Sequence, residues 1–272
     1  MHPSGAREIM KSLQDLQRNW EGFARTDPLW SICADPQKRD NKWNQDEFFA
    51  TGRKEIATVL EYLGSVGLRP GQGCPALDFG CGVGRLTRAM AEHFSPCYGV
   101  DISPTMIRLA GEFNHDLHDC HFLLNEQDRL AAFEDNYFGF IYTSIVLQHI
   151  AAPYNRGYLR ELIRLLRPGG ALVFQTPDRL RATASARIRT ALALRSRLLR
   201  LLHPGRNYVM EMHCMSESSV RDLVQKEGAR VADVRFTNST DPAFSGDLRY
   251  LDREPQWGYV SKQYCVTKTA RD

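Results

Sequence analysis

The chain has 272 residues, 43% of them hydrophobic and 25% charged, with a formal net charge of +3, the balance of a globular protein large enough for one catalytic domain with embellishments. So small a charge does not by itself imply a nucleic-acid partner, no run of about 18 apolar residues offers a membrane span, and seven cysteines without a C-x-x-C pair argue against a disulfide framework and a structural zinc site. The N-terminus, Met1 to Glu8, lacks the apolar stretch of a secretory signal, so the expected location is the cytoplasm, with most cysteines as reduced core residues.

From Glu8 to Phe23, the residues Ile9, Leu13, Leu16, Trp20 and Phe23 recur at helical spacing. A second helix is expected from Asp46 to Val66, through Phe49, Ile56, Val59, Leu60 and Leu63. Between them, Asp27-Pro28-Leu29-Trp30 and Asp35-Pro36-Gln37 read as a turn-rich connection. Residues 1–70 are thus expected to form an N-terminal helical cap, whose aromatics Trp20, Phe23, Trp30, Trp43, Phe48 and Phe49 serve as core or as a pocket wall. Gly71-Gln72-Gly73 opens the main domain, 71–272. Its apolar runs alternate with helical patterns: strand Ala76–Phe79, helix Arg85–His93, strand Cys97–Val100, helix Thr105–Phe113, strands Cys120–Leu124 and Phe138–Thr143, helix Tyr154–Leu166, strand Ala171–Gln175. Such alternation predicts an α/β fold with a doubly wound, mostly parallel sheet and helices on both faces. An Arg-rich insertion follows at about 178–207, then a helix from Ser216 to Glu227 and two closing strands, Val231–Phe236 and Tyr259–Val266.

The segment Ala76-Leu77-Asp78-Phe79-Gly80-Cys81-Gly82-Val83-Gly84-Arg85 runs from a strand into a glycine-rich turn and a helix, where a ligand can approach backbone unobstructed by a β-carbon. The glycine spacing departs from G-x-G-x-x-G, because Arg85 stands three beyond Gly82, and no G-K-[ST] follows, which excludes a P-loop. Asp101 ends the next strand, where a carboxylate can accept hydrogen bonds from both ribose hydroxyls.

These residues, with Val100-Asp101-Ile102-Ser103, Asn125-Glu126, the run Phe138 to His149, and Leu166-Arg167-Pro168-Gly169-Gly170, resemble class I S-adenosylmethionine-dependent methyltransferases of the small-molecule type over roughly residues 45 to 177. The resemblance implies a Rossmann-like, seven-stranded sheet with one antiparallel edge strand. It implies S-adenosyl-L-methionine as cofactor and S-adenosyl-L-homocysteine as product. It further implies that Gly80, Cys81, Gly82 and Gly84 lie against methionine and ribose, that Asp78 supports the amino group, and that Asp101 holds the ribose. Ile102 and Met106 would flank adenine, Asn125 and Glu126 reach its edge, and Ser144 and Ile145 face the reacting methyl. Gly139 stands where many relatives carry an acid, which reads as a surface change.

For a hydroxyl or amine acceptor a general base assists attack. His149, after the fourth strand, is the first candidate and His213 the second; each also fits an ordinary structural role. His115, His118 and His121 span a helix end and a strand entry and cannot easily converge, so no metal is expected. The insertion carries arginines at 179, 181, 187, 189, 195, 197, 200 and 206 with interleaved leucines. A basic lid, recognition of an anionic acceptor, and contact with membrane or RNA all stay open. The expected activity is methylation of an oxygen or nitrogen of a small-molecule or lipid-like acceptor, without stable membrane insertion. The alternatives are an RNA or protein methyltransferase docking through the insertion, and a non-catalytic cofactor-binding partner protein. RNA is disfavoured by the lack of stacking aromatics among the arginines.

Overall fold

The structure, a computed structural model, describes residues 12–71, 73–181, 209–242 and 244–269. Ile9 and the insertion's arginines from 187 to 206 lie outside the described residues. The N-terminal segment begins with α1, Leu13–Thr26, opened by a capping box in which Ser12 and Asp15 satisfy each other's backbone. The expected turn at Asp27-Pro28 is instead a short helix, α2, Pro28–Ile32. Asp27 caps it and Pro28 occupies its first turn, where a missing N–H costs nothing. After a 3-10 turn at Pro36–Lys38, α3 spans Gln45–Ser65 from an Asn44 cap.

The main domain then runs β1 Ala76–Phe79, α4 Arg85–Met90, β2 Cys97–Asp101, α5 Pro104–Phe113, β3 Cys120–Leu124, β4 Phe138–Thr143, α6 Tyr154–Leu165, β5 Leu166–Arg181, α7 Glu217–Lys226, β6 Ala229–Thr237, β7 Tyr250–Leu251 and β8 Gly258–Lys268. These form one sheet in the order β3-β2-β1-β4-β5-β8-β6-β7. The first five strands are parallel, β8 is antiparallel to both β5 and β6, and β7 is antiparallel to β6. The sheet therefore has eight strands where seven were expected, the addition being the two-residue β7 on the outer edge. Of the two antiparallel strands β7 takes the edge, while β8 sits inside.

The central strands are buried on both faces, and their alternation divides the core into two layers. Leu77, Ile141, Leu172 and Phe174 face one side, where Leu16 of α1, Leu159 and Leu162 of α6 and Val220 and Val224 of α7 cover them. Ala76, Phe140, Tyr142 and Val173 face the other, under Ile56, Val59 and Leu63 of α3 and Leu86 and Met90 of α4. A third cluster joins Phe48 and Phe49 to Cys33, Val83 and Met106, so these aromatics of the N-terminal segment are core. Within the α3 layer lies an ion pair, Glu55 to Arg85 at 2.7 Å, with the side chains at 0% and 4% exposure. Tyr142 donates to the other oxygen of Glu55 at 2.8 Å, tying α3 to β4.

Two expectations need correction. Gly139 is no surface position: it is buried, and a β-carbon there would lie 2.3 Å from Cys74 Sγ and 2.9 Å from Arg167. An acid has no room, and glycine is what the packing demands. The insertion also begins later than 178, because β5 continues to Arg181 and pairs Arg179, Leu180 and Arg181 with Val260, Tyr259 and Gly258. Arg179 and Arg181 are accordingly held by Glu254, Arg179 also by Asp178. Among the described residues no helix is long and apolar enough to cross a membrane.

Candidate functional site

The carboxyl ends of β1, β2 and β4 open into a cleft, and α1 crosses over it. The cleft holds roughly 810 Å³, a figure that includes its open mouth. Its floor is the glycine turn after β1. Gly80 adopts a φ of 78°, and a β-carbon there would meet Val146 Cγ2 at 2.3 Å, so only glycine allows the turn after β4 to pack this close.

Asp101 anchors the next wall. One carboxylate oxygen accepts from the Gly82 backbone N–H and the other from Ser103 N–H, each at 2.9 Å. Each oxygen keeps a lone pair for a further donor. Burial pushes this carboxyl up, against the downward pull of those two amides. Ile102, Met106 and Asn125 continue the wall, and Asn125 donates its backbone N–H to the Asp101 carbonyl. Ser144 and Ile145 form the wall after β4. Ile145 has a φ of 61°, a left-handed conformation costly for a β-branched side chain.

Four of the cofactor candidates stand off the wall. Asp78 lies beneath the turn at 1% exposure, accepting from Thr87 Oγ1 at 2.7 Å. Burial raises its carboxyl to about 7 against the pull of Thr87 and Arg85. Cys81 is buried with its thiol at the Gly82 carbonyl, and burial pushes that thiol well up. Gly84 caps α4 and faces Asn114 and Phe122. Glu126 accepts from Gln17 of α1 on the rim.

His149 lines the cleft, packed edge-on against Trp20 at 5.4 Å. Its Nδ1 lies 2.6 Å from the Glu211 carbonyl and its Nε2 3.1 Å from Gln148 Nε2. Burial is the main cause that lowers it to about 4; the Glu211 carbonyl raises it and His213 lowers it further. His213 is not on the cleft wall: its backbone donates to the Gln148 carbonyl at 2.7 Å, and its ring faces the Glu211 carboxylate at 3.4 Å. The segment carrying both, 209–216, runs beside the site. It is tied to α1 by paired bonds between Asn19 and the Val209 backbone, at 2.9 and 3.0 Å, and to β5 by Met215 N–H on the Pro177 carbonyl.

Three polar residues here escaped the sequence reading. Glu21 of α1 accepts from Ser103 Oγ, Thr105 Oγ1 and Thr105 N–H, at 2.7, 2.6 and 3.0 Å, fastening α1 to the start of α5. Its signal was its place one helical turn after Gln17, beside the apolar Leu16 and Trp20. Gln175 breaks the apolar run Leu172-Val173-Phe174, and Gln148 adjoins His149; a polar side chain within a buried strand needs partners and so marks a network.

Burial works against ionisation of Glu21, but Ser103, Thr105 and Arg25 outweigh it and hold the carboxyl at about 2, below its ordinary 4.5. A carboxyl depressed by folding stabilises the fold above its unfolded value and loses that contribution as pH falls through its folded one. The stability difference between wild type and Glu21→Gln is therefore expected to be full at pH 6 and to shrink between about pH 4.5 and 2, as measured by urea unfolding across that range. A difference that stays constant down to pH 2 would show that the clasp does not depend on the charge.

Residues 77–174 match a family described as a methyltransferase domain. A malonyl-[acyl-carrier protein] O-methyltransferase of Marinomonas sp. is 29% identical over 102 residues, 37% of this chain and 37% of that protein. A ubiquinone biosynthesis O-methyltransferase of Maricaulis maris is 28% identical over 132 residues, 45% of this chain and 48% of that protein. The chain thus spans less than half the length of these two curated relatives. Among solved structures, magnesium protoporphyrin IX methyltransferase from Synechocystis with bound S-adenosylhomocysteine is similar at a TM-score of 0.58 and 16% identity, covering 94% of this chain and 99% of that one. At that identity the likeness is one of fold.

Proposed function

Since residues 77–174 form a methyltransferase domain, we propose that the chain methylates an oxygen or nitrogen of a small-molecule or lipid-like acceptor, using S-adenosylmethionine and releasing S-adenosylhomocysteine. The observation that carries this is Asp101: a carboxylate at the end of β2, bridged to the glycine turn through Gly82, with acceptor capacity left on both oxygens toward the cleft.

The residues present fit the cofactor. Asp101 would hold the two ribose hydroxyls, Ile102 and Met106 would sandwich adenine, and Asn125 would meet its edge. Gly80 and Gly82 give the backbone close approach to the ribose and methionine, while Asp78, Cys81 and Gly84 shape the turn from behind. Glu126 would act from the rim through its bond to Gln17. When bound, the cofactor supplies a methyl on a sulfonium sulfur, open to in-line displacement. The chain's part is to place that methyl at Ser144 and Ile145 and to exclude water with Leu16 and Trp20 of α1, since positioning two reactants removes much of the barrier.

A small or lipid-like acceptor is supported by the remaining wall, which is apolar through Leu16, Trp20, Ile150 and Tyr158. The ubiquinone biosynthesis named for the Maricaulis maris relative points the same way. The test is to incubate the purified protein with methyl-labelled S-adenosylmethionine and cell extract, then separate small-molecule, lipid, protein and RNA fractions. Label is expected in the small-molecule or lipid fraction; label confined to RNA or protein overturns the acceptor assignment.

A further inference from the structure

We infer that Gln148 and Gln175 form a one-way hydrogen-bond relay that holds the turn at Ile145 in place and keeps His149 a neutral imidazole with both nitrogens engaged. Gln175 is then a positioning residue for the cleft wall, and His149 a fastener for segment 209–216 rather than the acceptor's base. The inference rests on the methyl-transfer reading only for what the wall positions.

The direction of the relay follows from counting donors and acceptors. At one end the Ile145 backbone N–H can only donate, and it meets Gln175 Oε1 at 3.3 Å. That fixes the Gln175 amide, whose Nε2 then donates to Gln148 Oε1 at 3.0 Å and to Ser261 Oγ at 2.7 Å. Gln148 is fixed in turn: its Nε2 must donate to His149 Nε2, which must therefore accept. At the far end the Glu211 carbonyl can only accept, so His149 Nδ1 carries the proton. Two backbone groups of fixed polarity thus dictate the tautomer of His149.

Placing a proton on His149 Nε2 requires Gln148 to turn its oxygen toward the ring and its NH₂ toward Gln175. Gln175 must then turn as well, leaving an NH₂ facing the Ile145 N–H, donor against donor. The hydroxyls beyond can adapt, since Ser261 and Thr237, 2.8 Å apart, are able to exchange donor and acceptor roles. The Ile145 amide cannot. Protonation of a ring on one side of the cleft is in this way coupled to release of the strained residue on another. The ionisable group whose field reaches His149 is His213, itself facing Glu211; from α1 the ring packs against the indole of Trp20.

The test is nitrogen-15 NMR of the histidine rings in the full chain, without cofactor or acceptor, with the His149 signals assigned by their loss in His149→Asn. Wild type is expected to show a protonated Nδ1 and an unprotonated Nε2 that do not titrate between pH 8 and 5. Gln175→Glu removes the donor facing Gln148, lets Gln148 reverse, and should raise the His149 midpoint by at least one pH unit. Should that variant not fold, Gln148→Glu keeps the Ile145 contact, places a carboxylate directly on His149 Nε2, and should raise the midpoint likewise. A wild-type ring that titrates near 6.5 or carries its proton on Nε2 overturns the relay, as does a midpoint unmoved in the folded variant. Because no cofactor is present, this result and that of the methyl-transfer assay can fail independently.

Discussion

Replacing Asp101 with alanine should weaken binding of S-adenosylhomocysteine by about 100- to 20,000-fold in a calorimetric titration. The size follows from two hydrogen bonds to an ionised acceptor, each contributing about 1.5–3 kcal/mol, and tenfold in affinity for every ~1.4 kcal/mol. A second loss adds to it, because the Gly82 and Ser103 N–H groups that Asp101 now accepts would be left to water or to nothing. Asp101→Asn retains one acceptor and should fall between alanine and wild type. Thermal unfolding without ligand separates a collapsed loop from a lost contact. Wild-type affinity in a folded alanine variant would remove Asp101 from the ribose site and, with it, the main support for the cofactor assignment.

The largest effect on stability is expected far from the cleft mouth, at Glu55. Glu55→Ala leaves the buried Arg85 guanidinium without its carboxylate and removes the acceptor of Tyr142. Breaking one side of a buried pair costs about 3–5 kcal/mol, since the remaining charge stays out of water uncompensated. For a chain of this size that corresponds to a fall in Tm of roughly 10 °C by scanning calorimetry. The double variant Glu55→Leu with Arg85→Met should lose less than Glu55→Ala alone, because it buries no orphaned charge. A fall of under about 2 °C in the single variant would mean that water reaches the pair.

How far the sequence revealed all this depended on whether a signal was local. Strands β1, β3 and β4 matched the expected bounds because their runs are mostly apolar and bordered by turn residues. Ser216 was legible as the cap of α7 for the same reason. Strand β7 was not, since two residues carry no period. Nor was α2, whose single turn depends on the cap from Asp27. Gly80, Gly82, Asp101 and Ile102, which line the cleft, were legible because the glycine-rich turn after β1 and the carboxylate ending β2 are local signals. Gln148, Gln175 and the Glu55–Arg85 pair were missed because each is defined by a partner 27 or 30 positions away that the fold alone brings near. Gly139 was misread for a related cause: its neighbour Cys74 lies on another segment.

The placement of β8 also bears on how the chain comes off the ribosome. Strand β8 is wedged between β5 and β6 yet emerges after both. Until it is synthesised, β5 and β6 each present an unpaired row of N–H and C=O groups, and the apolar residues Val173, Phe174 and Val234 lie beside those bare edges. Open, apolar strand edges are templates for pairing with other chains. A chain that lacks residues 258–268 cannot pair the facing edges of β5 and β6, so the middle of its C-terminal half stays open to association. Arrival of one eleven-residue strand closes both edges at once.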